Sequence, residues 1–257
     1  MRILVTNDDG VRSPGLKALV DVARNFGEVK VSAPDHERSA CGHAMTLRDP
    51  LRARRVDWEG VEAYEVDGLP VDCVNVGLTL GWPEGCDLVL AGFNNGPNLG
   101  FDVTYSGTVA GAMEGAINGI PSFALSMASF VTGAPFHFES GTQWLFENWG
   151  LVASLPFEGT ILYNINVPAI AYPEIQGHRF VGMGGRVWVD RVVERFDPWN
   201  RPYYWQGGAT AMSDDQPGTD VEAIREGYVS ITPVRVDWTD HALLARLRNP
   251  IRLEREA

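Results

Sequence analysis

Two adjacent carboxylates, Asp8 and Asp9, sit between a short apolar run and a turn in the stretch VTNDDGVRSPG, residues 5–15. Consecutive side chains of an extended strand point to opposite faces. Where a strand ends in a Gly turn, however, the backbone bends and both carboxylates can reach one point. Held together they repel unless a cation lies between them. A hard divalent ion, Mg²⁺ or Mn²⁺, meets that need, with oxygens from carboxylate, hydroxyl, amide and water. Ser39 in PDHERSACG and Asn94 or Asn95 in GFNNGPNLG are the neutral oxygen donors of the neighbouring loops. A plainer role for the acidic pair is to cap the next helix and solvate a turn.

The second candidate is YSGT, residues 105–108, which closes a Gly- and Asn-rich loop and opens a helix of small residues over 107–118. Free N–H groups at a helix start, with the hydroxyls of Ser106 and Thr108, suit a phosphate. No G-K-[ST] follows, so this is not a Walker A loop; an ordinary capped helix is the simpler alternative. Gly107, Ala110, Gly111, Ala112 and Gly115 point first to close packing of that helix on a sheet. His36 and His43 flank Ser39 and could be acids, bases, substrate contacts or surface residues. Asp214, Asp215 and Asp220 read first as a solvated acidic turn, and Arg52, Arg54 and Arg55 as the solvated edge of a hairpin.

The elements that must carry these loops alternate. RILVT is a buried strand, residues 13–27 form a helix with Ser13 as cap and Pro14 in its first turn, and EVKVSAP is a second strand. Residues 46–68 look like an inserted β-hairpin. PVDCVNVGLTL is a helix, DLVLAGF a core strand, 107–118 a helix and PSFALSM a strand. Further on, 141–155 reads as a helix, TILYNINVP as a strand and 179–197 as strand-like around a Gly-Gly break. Residues 207–220 read as a polar loop, 227–238 as a strand and 241–249 as a closing helix. This order predicts an α/β, Rossmann-like three-layer sandwich with a mainly parallel sheet, a β-hairpin insertion and an irregular C-terminal extension. The expectation is one domain over 1–257, with an α/β core over about 1–130 and core completion plus an oligomerisation extension over about 131–257. In such sheets ligands bind beyond the carboxyl ends of the strands, where NDDG, PDHERSACG and GFNNGPNLGFDVTYSGT all fall.

Bulk properties narrow the function. A net charge of −12 argues against a partner such as polymeric nucleic acid, whose backbone is bound through Lys and Arg. No apolar run reaches the roughly 18 residues of a membrane span, and MRILVT is too short for a signal peptide. Three cysteines without C-x-x-C spacing indicate neither a disulfide framework nor a thiolate zinc site. A cytoplasmic protein is expected.

With these loops in view, the sequence resembles the SurE family, stationary-phase survival proteins that are metal-dependent nucleoside-monophosphate phosphatases. RILVTNDDGVRSPG, APDHERSA, GLPVDCV, GFNNGPNLGFDVTYSGTVAGAMEG and TDVEAIREGYVSITP resemble the family's motifs, in order. The resemblance implies a 5'/3'-nucleotidase, active also on short polyphosphate, with one divalent cation per subunit (Mg or Mn). It places Asp8, Asp9, Ser39 and Asn94 on the metal-ligand positions, with Asp8 and Asp9 catalytic. Asn98, Ser106, Gly107 and Thr108 fall in the segments lining the phosphate site. It also implies a homodimer or homotetramer. Departures are Ala91 for the usual Ser, Leu69 for Thr, and Ala40-Cys41-Gly42-His43 in a normally Ser-rich stretch, which bears on substrate choice. Two other classes share features: a receiver-like signalling domain also pairs acidic residues around Mg²⁺, but needs an acceptor Asp where Ala91-Gly92 stand, and a non-catalytic nucleotide-binding module needs only the phosphate site.

Overall fold

A computed structural model describes residues 1–58, 60–131, 137–185, 188–211 and 216–248. In chain order the elements are β1 (Arg2–Thr6), α1 (Pro14–Ala23), β2 (Glu28–Pro34), β3 (Ala53–Trp58), β4 (Val61–Val66), α2 (Pro70–Val76), β5 (Leu88–Asn95), α3 (Gly107–Ile117) and β6 (Ser122–Ala128). There follow α4 (Phe138–Glu147), α5 (Trp149–Ala153), β7 (Ile161–Pro168), β8 (His178–Phe180), β9 (Trp188–Phe196), β10 (Pro202–Ala211), α6 (Asp220–Arg225), β11 (Val229–Arg235) and α7 (His241–Arg248).

Among the described residues nine strands form one sheet in the order β3-β4-β2-β1-β5-β6-β7-β11-β8. The run from β4 to β7 is parallel throughout, and the antiparallel pairs are β3 with β4 and β11 with β7. Strand alternation divides the core into two layers. Ile3 and Val5 of β1 pack with Leu16 and Leu19 of α1, whereas Leu4 between them packs with Val74 of α2 on the other face. Each such Leu, fully withdrawn from water, contributes on the order of 1.5–3 kcal/mol. Ser13 caps α1 by accepting the Leu16 N–H at 3.1 Å, and Pro14 occupies the first helical position, where its missing N–H costs nothing.

The α/β sandwich and its parallel sheet agree with the sequence reading, with four adjustments. The inserted 46–68 hairpin joins the main sheet: β4 pairs with β2 in parallel, so the hairpin supplies the sheet's own edge. The helix expected over 141–155 begins at Phe138 and is broken at Asn148, which ends α4 and starts α5. The helix from Pro70 ends its regular turns at Val76 and continues as a wider turn over Gly77–Gly81. Residues 207–211, read as loop because of Gly207-Gly208, belong to β10, which pairs antiparallel with β9. Cross-strand pairing outweighs the weak strand preference of glycine there. On this two-stranded arm Trp199, Tyr204 and Trp205 are exposed. Among the described residues no helix is long and apolar enough to cross a membrane.

Candidate active site

The carboxyl ends of β2, β1 and β5 lie side by side, and the loops that follow them are stitched together. Asn7, fully buried, donates from Nδ2 to Gly10 O (3.1 Å) and Ser13 Oγ (2.8 Å), folding the chain back from β1 into α1. Gly10 has φ +98°, and a side chain there would meet the His36 backbone at 3.2 Å, so only glycine lets the two loops approach this closely. The Arg38 N–H donates to Asp8 O at 2.7 Å and the Val11 N–H to Pro34 O at 2.8 Å. The Asp8 turn and the Ser39 loop are therefore one unit.

Asp8 is buried, and the Thr108 hydroxyl, in the first turn of α3, donates to its Oδ1. Gly107 makes that approach possible. A methyl group on it would stand 2.7 Å from Asp8 Cβ, 2.8 Å from Asp8 Oδ2 and 2.9 Å from Cys41 Sγ. Asp9 Oδ2 accepts the Asn95 N–H at 3.2 Å. Burial pushes the Asp8 carboxyl up despite its bond from Thr108. Burial, and then the charge of Asp8, push Asp9 up to about 7. These are two carboxylates short of positive charge.

The neutral oxygens expected beside them are oriented as acceptors. Asn94 donates from Nδ2 to Gly96 O at 2.8 Å, which leaves its Oδ1 available. The Ser39 hydroxyl donates to Glu37 Oε1 at 2.5 Å, leaving lone pairs on Oγ. Among the described residues no cluster of three or more His, Cys, Asp and Glu is placed to hold a metal. The donors the sequence reading named are instead two carboxylates, a hydroxyl and an amide oxygen. All-oxygen donors with uncompensated negative charge fit a hard divalent cation and poorly suit a soft one.

Ser106 caps α3 by accepting the Val109 N–H at 3.0 Å, so its own O–H can donate outward. Asn98 is tied elsewhere. Its N–H donates to Asn166 Oδ1 (2.9 Å), its Nδ2 to Ser126 Oγ (2.8 Å), and its carbonyl accepts from Asn164 Nδ2 (2.7 Å) and Asn166 Nδ2 (3.0 Å). This buried network fixes the loop between β5 and α3 onto β6 and β7.

Two contributors, Glu37 and Glu114, escaped the sequence reading, and a third, Asp220, was read as a solvated turn. The negative charge of Glu37 adds, as the smallest contribution, to the upward shift of both Asp8 and Asp9. Glu114, buried on α3, meets His43 Nε2 at 3.1 Å, and the Gly42 N–H donates to Tyr105 O at 2.9 Å, strapping the loop after Ser39 across α3. Asp220 is buried rather than solvated: its carboxylate accepts from Gly100 N (2.9 Å) and Gly184 N (2.8 Å). Three convergent N–H donors, the third being Val221, replace the water it would otherwise need. Asp214 and Asp215 lie outside the described residues. His36 stays at the surface against Asp35, and the three arginines do line an exposed edge, paired with Asp67, Glu65 and Glu62.

The family described as "Survival protein SurE" matches residues 3–190. The chain belongs to the SurE family. Among curated members, "5'-nucleotidase SurE 1" of Thermus thermophilus is 45% identical over 256 residues, covering 96% of each chain. "5'-nucleotidase SurE" of Moorella thermoacetica is 44% identical, covering 94% of this chain and 93% of its own. The crystal structure of the SurE protein from Aquifex aeolicus superposes with a TM-score of 0.80 at 37% identity, over 96% of this chain and 98% of that one. The SurE fold is thus shared along nearly the whole length, including the strands from the second half of the chain that complete the sheet.

Proposed function

We propose that this chain hydrolyses nucleoside 5'- and 3'-monophosphates to nucleoside and inorganic phosphate. The observation that carries the reading is the buried Asp8, next to the half-buried Asp9 and abutting the first turn of α3 at Gly107 and Thr108, which sets anionic oxygens next to the N-terminus of a helix. A divalent cation, Mg²⁺ or Mn²⁺, one per subunit, would be held by Asp8, Asp9, Ser39 and Asn94 and would draw charge from the phosphate as the ester bond breaks. Ser106 O–H and the amide at Gly107 receive the remaining phosphate oxygens, while the Thr108 amide and hydroxyl bond to Asp8. Thr108 also keeps Asp8 in one rotamer through its hydroxyl. Asp8 Oδ2, on the Gly107 side, is the oxygen left to orient a water and take its proton. Asn98 acts on the phosphate segment by holding its backbone.

The names of the curated relatives support the substrate class, and the exposed aromatic residues of the β9–β10 arm support a homodimer or homotetramer. The test is phosphate release from a panel of 5'- and 3'-nucleoside monophosphates with Mg²⁺, Mn²⁺ or chelator. Wild type is expected to release phosphate only with metal, and Asp8→Asn to lose at least about 10³-fold in kcat. Binding of nucleotides without release under any metal would overturn the reading.

A further inference from the structure

A cavity of about 380 Å³ opens beside Ser106, the residue that caps α3. Met113 and Met183 form part of its apolar wall, and Trp238, Arg235 and His43 also line it. Trp238, 78% exposed, borders this apolar surface. His43 is held in place on the wall by its contact with Glu114. The volume lies in the roughly 300–1,000 Å³ range of small-molecule sites.

The cavity around Asp9, about 350 Å³, is built differently. Asp9, Asp35, Glu37, His36 and Arg12 line it, and three carboxylates there favour ions and water over a flat ring. An ester whose phosphate sits on Ser106 and the Gly107 amide has its organic half within reach of the first cavity, because Ser106 belongs to both. Thioethers adapt to aromatic faces, an indole stacks on any base, and a guanidinium presents several donors to the carbonyl and ring-nitrogen acceptors of a base edge.

We infer that this cavity receives the nucleoside half of the substrate, with the base laid on Trp238 and its edge turned to Arg235. The inference rests on the phosphomonoesterase reading above and adds what the site recognises beyond phosphate.

The test compares kcat/KM for nucleoside 5'-monophosphates with that for ribose 5-phosphate, the same ester without its base, in wild type, Trp238→Ala and Trp238→Phe, with Mn²⁺ present. Wild type should favour the nucleotides. Trp238→Ala should cut that preference about tenfold, mainly through KM, and Trp238→Phe should keep most of it. Competitive inhibition by free nucleoside, which needs no turnover of the nucleoside itself, should weaken in parallel in Trp238→Ala. A wild type that hydrolyses both esters equally well, or a preference unchanged in Trp238→Ala, overturns the inference while leaving the phosphatase intact. Hydrolysis of neither ester overturns the parent reading instead. Because the side chain is exposed, loss of fold does not confuse the result, and the Phe variant controls for it.

Discussion

Binding of a divalent cation should expel protons, in a number set by Asp9. Its carboxyl is held at about 7 by burial and by the charge of Asp8, against about 3.9 for the free side chain. A cation that takes the ionised form must displace any proton present. A group with that pKa is about nine-tenths protonated at pH 6 and about one-tenth at pH 8. Mn²⁺ binding should therefore release about one proton from Asp9 at pH 6 and almost none at pH 8, with apparent affinity about tenfold weaker at the lower pH. Asp8, also raised by burial, adds to the release at low pH. The same shift has a signed effect on folding. The folded-state value lies above the unfolded one, so in the cation-free protein the contribution to stability is complete below about pH 4 and lost as pH rises through about 7. It amounts to at most about 4 kcal/mol. Cation binding should offset that loss most fully at pH 8. Isothermal titration calorimetry in buffers of different ionisation enthalpy counts the protons directly, and Asp9→Asn should remove most of the pH dependence. Equal proton release at pH 6 and pH 8, or none at pH 6, would refute the reasoning.

Three further outcomes follow from other parts of the molecule. Gly107→Ala should push α3 off Asp8 and cut kcat by about 100-fold or more while far-UV circular dichroism stays unchanged, since the added methyl meets Asp8 at 2.7–2.8 Å. Asp220→Ala strips the acceptor from the Gly100 and Gly184 N–H groups. It should cost about 2–4 kcal/mol in urea unfolding, and a midpoint equal to wild type would contradict the buried role. Replacing Tyr204 and Trp205 together by Ser should shift sedimentation toward the monomer without unfolding the α/β sheet; an unchanged sedimentation coefficient would remove the arm from the interface.

The parallel strands were readable because they are buried on both faces and so appear as unbroken apolar runs such as RILVT and DLVLAGF. The loops were readable for a related reason: polar residues gathered after the ends of β1, β2 and β5 stand out against those runs. Pairings across long sequence distance were not. Nothing local to Thr108 says that its hydroxyl lies on Asp8, a hundred residues earlier, or that Glu114 meets His43. Asp220 misled because an acidic residue after Pro-Gly-Thr has the composition of a solvated turn, and only the fold reveals the N–H groups that converge on it. The β10 strand was obscured by its glycines, whose local preference is overridden by pairing with β9. Spacing left Asn94 and Asn95 open, and it was the resemblance to the SurE motifs that pointed to Asn94.

The latch formed by Asp220 on Gly100 has a consequence for synthesis. The residues gathered around Asp8 lie within the first 114 positions, on loops that follow β1, β2 and β5 and on α3. The carboxylate that fastens the segment leading into α3 arrives more than a hundred residues later. As the chain leaves the ribosome from its N-terminus, the residues proposed to hold the cation are present early, but the loop leading into α3 is fastened only when α6 has emerged and docked. Truncated or nascent chains thus carry the acidic pair without its finished frame, and hydrolytic competence is tied to completion of the polypeptide.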